Sequence, residues 1–224
     1  MDNLLIVFAK APIPGLAKTR LFPHLSFEEA AELQRAFLAD MADKALSSPH
    51  FSSCLAYTPP GTLGVFKEIY GERFLYHEQG AGDLGERMSR SFDHGFNAGA
   101  KRVAVVGTDV PTMPACYLCA AFRLLDGADI VLGPASDGGY YLVALKEPAP
   151  EIFGRMDWSG PDVLGVTADR ALALGLKADY LPKLDDVDTF EDLKGLTNSP
   201  LPPHTDRLIS SIGHRLKEHL DWLL

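Results

Sequence analysis

The chain opens with a short apolar run that leads into a loop rich in proline and glycine. Residues 4–9 form an uninterrupted apolar segment, LLIVFA, which is typical of a strand buried on both faces of a parallel sheet. Pro12, Pro14 and Gly15 follow, and they exclude a continuation as helix or strand. The start of the chain therefore predicts a first strand that ends in an irregular loop.

Three cations accompany this loop where the strand ends: Lys10, Lys18 and Arg20. Ligands of open α/β sheets lie beyond the carboxyl ends of the strands, which is where these cations stand. They are compatible with a phosphate site and also with an ordinary solvated surface loop, so the loop by itself leaves both interpretations open.

Strand and helix patterns alternate along the rest of the chain. Strands are predicted at residues 4–9, 54–58, 74–76, 102–106, 130–132 and 140–145, and around Tyr180. Helices are predicted at residues 27–46, 63–70, 84–99, 114–125 and 160–174. Ser26 and Glu29 form a capping box before the first of these helices, and Ser159 is expected to cap the last. This alternation predicts one α/β domain over residues 1–200 with a mostly parallel sheet.

Composition excludes several classes of protein. The net charge of −9 argues against a nucleic-acid surface, which would need a basic stripe. Three cysteines suit a reducing cytoplasm better than a disulfide framework. No apolar run approaches the roughly 18 residues that a membrane span needs. We therefore expect a cytoplasmic protein without a membrane or nucleic-acid partner.

Two nucleotide-binding signatures are incomplete. Residues 12–19 end in Lys-Thr as a P-loop does, but Pro12 and Ala17 stand where that motif needs glycine. A GxGxxG occurs at Gly80, Gly82 and Gly85. Polar residues 77–79 separate it from the apolar part of the preceding strand, which disfavours a dinucleotide site.

Acidic residues occupy two distant turns. Asp109 ends a buried strand in the sequence GTDVP, and Asp185, Asp186 and Asp188 crowd a later turn. Like charges packed this closely repel unless a cation or hydrogen bonds offset them, and Mg²⁺ takes carboxylates together with substrate phosphates. The alternative is structural, since Asp188 or Thr189 could simply cap the next helix.

Five motifs in order carry a resemblance to a known superfamily. They are KAPIPGLAKTRL, GDLGERM, GTDVP, DGGYY and DVDTFEDL, at residues 10–21, 82–88, 107–111, 137–141 and 186–193. Over residues 4–196 the chain resembles the nucleotide-diphospho-sugar transferase superfamily with the GT-A fold. Within it the chain is most similar to the radical-SAM/selenodomain-associated transferases, and more distantly to phospholactate guanylyltransferases. The resemblance implies a three-layer α/β/α domain with a mixed, mostly parallel sheet.

The resemblance also implies roles for individual residues. Nucleotide-binding positions would be Lys10, Pro12, Gly15, Lys18, Arg20, Gly82, Asp83, Leu84 and Arg87. The acceptor side would comprise Asp137, Gly138, Gly139, Tyr140 and Trp158, although Trp158 fits a core position better. Metal ligands would be Asp109 and Asp188, with Asp186 as the alternative to Asp188, and the ion would be Mg²⁺ or Mn²⁺.

The implied activity is nucleotidyl transfer from a nucleoside triphosphate to a small phosphorylated acceptor, with release of pyrophosphate. Lys18, Arg20 and Asp109 would be catalytic: Lys18 at the α-phosphate, Arg20 at the leaving phosphates and Asp109 on the metal. Glycosyl transfer from a nucleotide sugar and non-catalytic nucleotide binding are the alternatives.

The remaining patterns suggest structural roles. Cys116 and Cys119 form a lone CxxC, which we interpret as small buried apolar residues of a helix. His214 and His219 are five apart and are expected to be solvated. Residues 201–224 predict an amphipathic helix whose stripe packs on the domain or on the partner subunit of a homodimer. The stripe consists of Leu208, Ile212, Leu216, Leu220 and Leu223.

Overall fold

A computed structural model describes residues 2–22, 24–198 and 200–220, with side chains as far as Ile212 in the last helix. The strands are β1 (Asn3–Lys10), β2 (Ser52–Thr58), β3 (Leu75–Glu78), β4 (Arg102–Val106), β5 (Ile130–Pro134), β6 (Tyr140–Leu145) and β7 (Ala178–Tyr180). The helices are α1 (Phe27–Leu46), α2 (Leu63–Tyr70), α3 (Leu84–Asn97), α4 (Cys116–Leu124), α5 (Val163–Ala173), α6 (Phe190–Leu196) and α7 (Pro203–Leu220). Two short 3₁₀ helices lie at Thr19–Leu21 and Pro150–Phe153.

The seven strands form one sheet in the order β3-β2-β1-β4-β6-β5-β7. All neighbouring pairs are parallel except those that involve β6, which runs antiparallel between β4 and β5. The chain builds β1, β2 and β3 outward and then returns to β4 on the other side of β1. The carboxyl ends of β1 and β4 therefore flank the point where strand order reverses, where open sheets bind ligands.

Side chains alternate between the two faces of the sheet, and helices cover both faces, which gives the three predicted layers. In β1, Leu5 and Val7 face a core shared with α1, α2 and α4, whereas Leu4 and Ile6 face a core shared with α3 and α5. A third apolar cluster joins α1, α6 and α7. The predicted α/β/α architecture with a mixed, mostly parallel sheet is confirmed.

Of the two predicted helix caps, the one before α1 is confirmed and the one before α5 is wrong. The capping box of Ser26 and Glu29 is present at the start of α1. The prediction that Ser159 caps α5 is wrong, because α5 starts only at Val163 with Asp162 before it. The Ser159 N–H is instead tied into a turn by the Asp157 carboxylate, at 3.0 Å.

The final helix packs against α1 through a buried carboxylate. Asp40 of α1 is 2% exposed and accepts hydrogen bonds from the His204 N–H at 2.9 Å and from both the N–H and the hydroxyl of Thr205. Ile212 is buried in the third cluster, and Leu208 packs against it. The side chains of Leu216, Leu220, Leu223, His214 and His219 lie outside the described part of the chain. Within the described helices, none combines the length and apolar character that crossing a membrane requires.

We expect Asp40→Ala to lower the free energy of unfolding by about 2–3 kcal/mol, because the substitution leaves buried donors at the start of α7 unsatisfied. Urea unfolding would measure the change. The matched control is Asp43→Ala, which removes a carboxylate that is 65% exposed and lies 3.0 Å from the His204 ring; its cost should stay below about 1 kcal/mol. Equal losses in the two variants would contradict this account of the α1–α7 contact.

Candidate functional site

The loop after β1 carries Lys18 into a nearly closed niche. Gly15 has a φ of +80°, which glycine adopts without strain, and Lys18 itself has a φ of 48°. These left-handed residues turn the chain so that the Lys18 side chain is only 4% exposed. Pro12 is buried and shapes the loop, whereas Lys10 is exposed at the end of β1.

The Lys18 ammonium group lies between the two predicted metal ligands. Its Nζ is 2.7 Å from Oδ1 of Asp109 and 3.6 Å from Oδ1 of Asp188. It also donates a hydrogen bond to the carbonyl of Val187 at 2.5 Å, and it lies 5.2 Å from the centre of the Phe37 ring. A buried ammonium needs this degree of compensation, so the niche is built for a cation.

The two acidic turns are joined by backbone as well as by charge. The Val187 N–H donates to the Asp109 carbonyl at 2.8 Å, which fixes the two turns side by side. Arg20 is 70% exposed and places its guanidinium 3.2 Å from the Asp188 carboxylate. The structure therefore brings Lys18, Arg20, Asp109 and Asp188 together, although the last two lie far from the loop in sequence.

Two buried polar residues of this site were not identified from sequence. Gln34 of α1 is 3% exposed and donates to the Thr108 hydroxyl at 3.1 Å, and that hydroxyl lies 3.5 Å from Oδ1 of Asp109. A glutamine within the apolar stripe of α1 was the available signal, since buried amides need partners. Gln34 and Thr108 support the orientation of the Asp109 carboxylate.

Further acids surround this cluster in a cleft of about 500 Å³. Burial raises the pKa of the Asp186 carboxyl to about 6, and the charges of Asp137 and Asp188 act in the same direction. Asp185 accepts a hydrogen bond from the Ser136 hydroxyl. The cleft therefore carries excess negative charge beyond what Lys18 and Arg20 offset.

Of the two residues that could cap α6, Asp188 and Thr189, the structure shows Thr189 in that role. Thr189 caps α6 and forms a capping box with Asp192, whose carboxylate also accepts the Asp188 N–H at 3.1 Å. The Asp188 side chain takes no part in this cap and points instead to Arg20 and Lys18. Capping by Thr189 thus leaves the Asp188 carboxylate available to a ligand.

The predicted nucleotide-binding positions Gly82, Asp83, Leu84 and Arg87 lie at the start of α3, beside a second depression of about 550 Å³. Asp83 caps α3 in a capping box with Glu86, and Gly82 has a φ of +105°. The Arg87 guanidinium donates to the side-chain oxygen of Gln79 at 3.1 Å, and Leu84 packs against the core that the sheet shares with α3 and α5. Asp83 lines this depression, whereas the acidic cleft is lined by Arg20 and the aspartates of the later turn.

Residues predicted on the acceptor side fall into two groups. Asp137 lines the acidic cleft, where its Oδ1 accepts the Gly139 N–H at 2.7 Å. Tyr140 and Trp158 pack against the core beneath α3, and burial raises the pKa of the Tyr140 hydroxyl well above its usual range. The Trp158 ring lies where a Cβ on Gly85 would stand, which agrees with the core position favoured from sequence.

We expect Gly138→Ala to destabilise the fold strongly. Gly138 has a φ of +93°, and a Cβ built there would overlap the Pro161 carbonyl oxygen. Left-handed strain alone costs about 1–3 kcal/mol, and the overlap adds to it. Thermal unfolding would measure the loss, with Gly127→Ala as the control because a Cβ at that position would meet no atom within 4 Å. A Gly138→Ala protein as stable as the control would show that the turn can relax away from Pro161.

The CxxC prediction is corrected by the structure. Cys116 is exposed and Cys119 half-buried in the first turn of α4, whereas Cys54 alone of the three cysteines is buried. Leu118 is buried in the core shared with α1 and α2, and the half-buried Cys119 packs partly against the same core. The predicted packing role therefore holds in part for Cys119 and is wrong for the exposed Cys116.

Known proteins resemble this chain over most of its length. The family described as "uncharacterized protein conserved in bacteria" (DUF2064) matches residues 41–160. A 2-phospho-L-lactate guanylyltransferase from Methanothermobacter thermautotrophicus is 29% identical over 179 residues, which are 79% of this chain and 77% of that protein.

Solved structures extend the comparison. A candidate nucleotide-diphospho-sugar transferase from Desulfovibrio desulfuricans G20 superimposes with a TM-score of 0.89 and 30% identity, covering 97% of this chain and 98% of that one. A cytidylyltransferase from Leptospira borgpetersenii gives a TM-score of 0.59 at 14% identity over 96% of this chain and 95% of that chain, and shares the fold. The predicted superfamily and the predicted transferase class are thereby confirmed. The chain belongs to the DUF2064 family, within the nucleotide-diphospho-sugar transferase superfamily that its motifs predicted.

Proposed function

We propose that this protein transfers a nucleotidyl group from a nucleoside triphosphate to a small acceptor and releases pyrophosphate. The observation that carries the proposal is the Lys18 ammonium group, held by the β1 loop between the carboxylates of Asp109 and Asp188. This arrangement lies where strand order reverses, and the guanylyltransferase relative supports nucleotidyl transfer rather than another reaction of the superfamily.

In this reaction an acceptor oxygen attacks the α-phosphorus in line with the departing pyrophosphate. Positioning and charge neutralisation supply most of the rate enhancement in such transfers. Lys18 would offset charge that builds at the α-phosphate, and the exposed Arg20 would bind the leaving phosphates. Lys10 and the backbone of the loop at Pro12 and Gly15 would complete the phosphate site.

The site residues fit a divalent cation, Mg²⁺ or Mn²⁺. Mg²⁺ is commonly held by one or two carboxylates plus substrate phosphates, and the carboxylates of Asp109 and Asp188 lie 2.7 and 3.6 Å from the same ammonium nitrogen of Lys18. We propose Asp109 and Asp188 as its ligands, with Asp186 as the alternative to Asp188. When bound, the cation would supply further neutralisation of phosphate oxygens.

The chemistry of the acceptor is constrained by the charge of the cleft. Among its described lining residues, five aspartates and one glutamate face a single cation, Arg20. A phosphorylated acceptor, as the resemblance implied, would enter this cleft only together with a divalent cation. We propose the segment comprising Gly82, Asp83, Leu84 and Arg87 for the nucleobase, and Asp137 with Gly138 and Gly139 for the acceptor side.

Glycosyl transfer is the second candidate, because the Desulfovibrio neighbour is described as a nucleotide-diphospho-sugar transferase. The same cations would then stabilise a departing nucleoside diphosphate. Non-catalytic nucleotide binding would use the cations as well, but it gives no reason for two acidic turns to be fixed beside them.

A thermal-shift panel tests the proposal directly. We expect nucleoside triphosphates to raise the melting temperature in the presence of Mg²⁺ or Mn²⁺, since a ligand at 100 times its Kd adds about 2.7 kcal/mol of stability. Phosphorylated and unphosphorylated acceptors are then added and pyrophosphate is measured. Stabilisation by nucleotide sugars alone would favour glycosyl transfer, by NAD alone a dinucleotide site, and binding without pyrophosphate release from any acceptor a non-catalytic role.

A further inference from the structure

The first turn of α4 carries two thiols, one exposed and one half-buried. Cys116 is the first residue of the helix and is exposed, and Cys119 follows one turn later and is half-buried. Residues three apart on a helix share a face. From ideal helix geometry their Cα atoms are about 5 Å apart, inside the range of roughly 4.4–6.8 Å that a disulfide bridges.

The two thiols have different neighbours: Cys116 lies at the start of the helix, and Cys119 lies beside the Ser48 hydroxyl. Cys116 lies in a helical turn without an acidic residue, so the partial positive charge of the helix start is not offset there. The sulfur of Cys119 lies 3.5 Å from the Ser48 hydroxyl oxygen, and that oxygen already accepts the His50 N–H at 3.2 Å. The Ser48 proton is thus free to be donated to a Cys119 thiolate.

A structural metal does not explain the pair. A closed zinc site needs four ligands, and the described residues contain no group of three or more His, Cys, Asp or Glu suited to a metal. The thiols also lie outside the acidic cleft and contribute nothing to its lining. Packing accounts in part for Cys119, which is half-buried against the core, and does not account for the exposed Cys116.

We propose that Cys116 and Cys119 form a reversible dithiol–disulfide pair that exchanges with small disulfides. The Cys116 thiolate attacks a disulfide RSSR, forms a mixed disulfide and releases one thiolate RS⁻. The Cys119 thiolate then attacks the Cys116 sulfur, closes the intramolecular bond and releases the second RS⁻. The two protein thiols lose two electrons and two protons, and RSSR is reduced to two RSH.

Cys54 provides an internal control in the same molecule. It is fully buried in the core between β2 and α3, and burial raises the pKa of its thiol to about 12. A thiol that is both buried and protonated reacts slowly. The third cysteine should therefore stay reduced while the other two react. The proposal does not depend on the transferase activity.

The test uses the full chain in buffers of reduced and oxidised glutathione, with acid quenching, alkylation of free thiols and mass spectrometry of the intact protein. We expect two thiols to disappear together as oxidised glutathione increases, with a mass loss of two hydrogens, and to return on reduction. Peptide mapping should place the bond between Cys116 and Cys119. Cys119→Ser should instead accumulate a glutathione adduct on Cys116. Cys116→Ser should react with oxidised glutathione more slowly than both the unsubstituted protein and Cys119→Ser.

Three results would overturn the proposal. A persistent glutathione adduct in the unsubstituted protein would show that Cys119 does not resolve it. Disulfide-linked dimers on a non-reducing gel would show that pairing occurs between chains. Formation of the bond only in denaturant would show that the folded helix does not permit it. Thermal melting followed by circular dichroism checks that the oxidised protein is folded.

Discussion

Replacing Lys18 by methionine should lower kcat for pyrophosphate release by about 100-fold or more, the usual scale for losing one preorganised electrostatic group. Methionine retains much of the length and apolar surface of the lysine stem and removes the charge. The substitution therefore separates electrostatics from packing against Phe37. Steady-state turnover at saturating nucleotide measures the effect.

The Lys18→Met variant should also bind divalent cations differently. In the unsubstituted protein the ammonium group is 2.7 Å from the Asp109 carboxylate, so it competes with a metal for that ligand. Removal of the ammonium should tighten cation binding, measured by calorimetry without nucleotide, while turnover falls. A merely destabilised protein would lose both.

Lys101→Ala is the matched control for this experiment. Lys101 is 77% exposed, pairs with Asp2, and precedes β4 at the end of the sheet opposite the site. Its removal takes away one positive charge from the whole protein but none from the cleft, so turnover should stay within about twofold. Equal losses in the two variants would indicate an effect of net charge rather than of Lys18.

Features encoded by neighbouring residues were predictable from sequence. The apolar run before the prolines specifies β1, and the Ser26–Glu29 box specifies the start of α1, because each depends on residues within a few positions. The bounds of β4 and β6 were predicted to the residue. The start of α5 was misplaced, because Ser159 lies in the turn that follows Asp157 and the helix begins only at Val163.

The contacts that build the site were not predictable, because they join distant parts of the chain. The hydrogen bond from Lys18 to the Val187 carbonyl spans 169 residues, and the one from Gln34 to Thr108 spans 74. Sequence patterns indicated that cations and acids would lie at the same edge of the sheet. They contain no information on which cation is buried, and the exposed Arg20 and the buried Lys18 look alike in sequence.

The second large effect is expected for Asp109→Asn, which should lower kcat by about 100-fold or more. Asparagine preserves the shape of the side chain and leaves the backbone bond from Val187 intact, so the turn should keep its position. The loss would come from the missing negative charge beside Lys18. In the same variant, Mg²⁺ should no longer add to the nucleotide-induced rise in melting temperature, which provides a readout independent of turnover.

Asp126→Asn is the control, because that carboxylate is 67% exposed and pairs with Arg102 at the opposite end of β4. Its turnover and its response to Mg²⁺ should match those of the unsubstituted protein. Asp188→Asn and Asp186→Asn, compared in the same assay, identify the second ligand. The substituted residue is the second metal ligand in whichever variant no longer responds to Mg²⁺. Loss of that response in Asp186→Asn alone would exclude Asp188 as a ligand.

Combining Lys18→Met with Asp109→Asn tests whether the two residues act as one unit. Residues in direct contact show interaction energies of about 0.5–3 kcal/mol, so their effects should not multiply. The double variant should be less impaired than the product of the two single losses. Independent, multiplicative losses would mean that the 2.7 Å ion pair is incidental to catalysis, and unchanged turnover in both single variants would refute the site altogether.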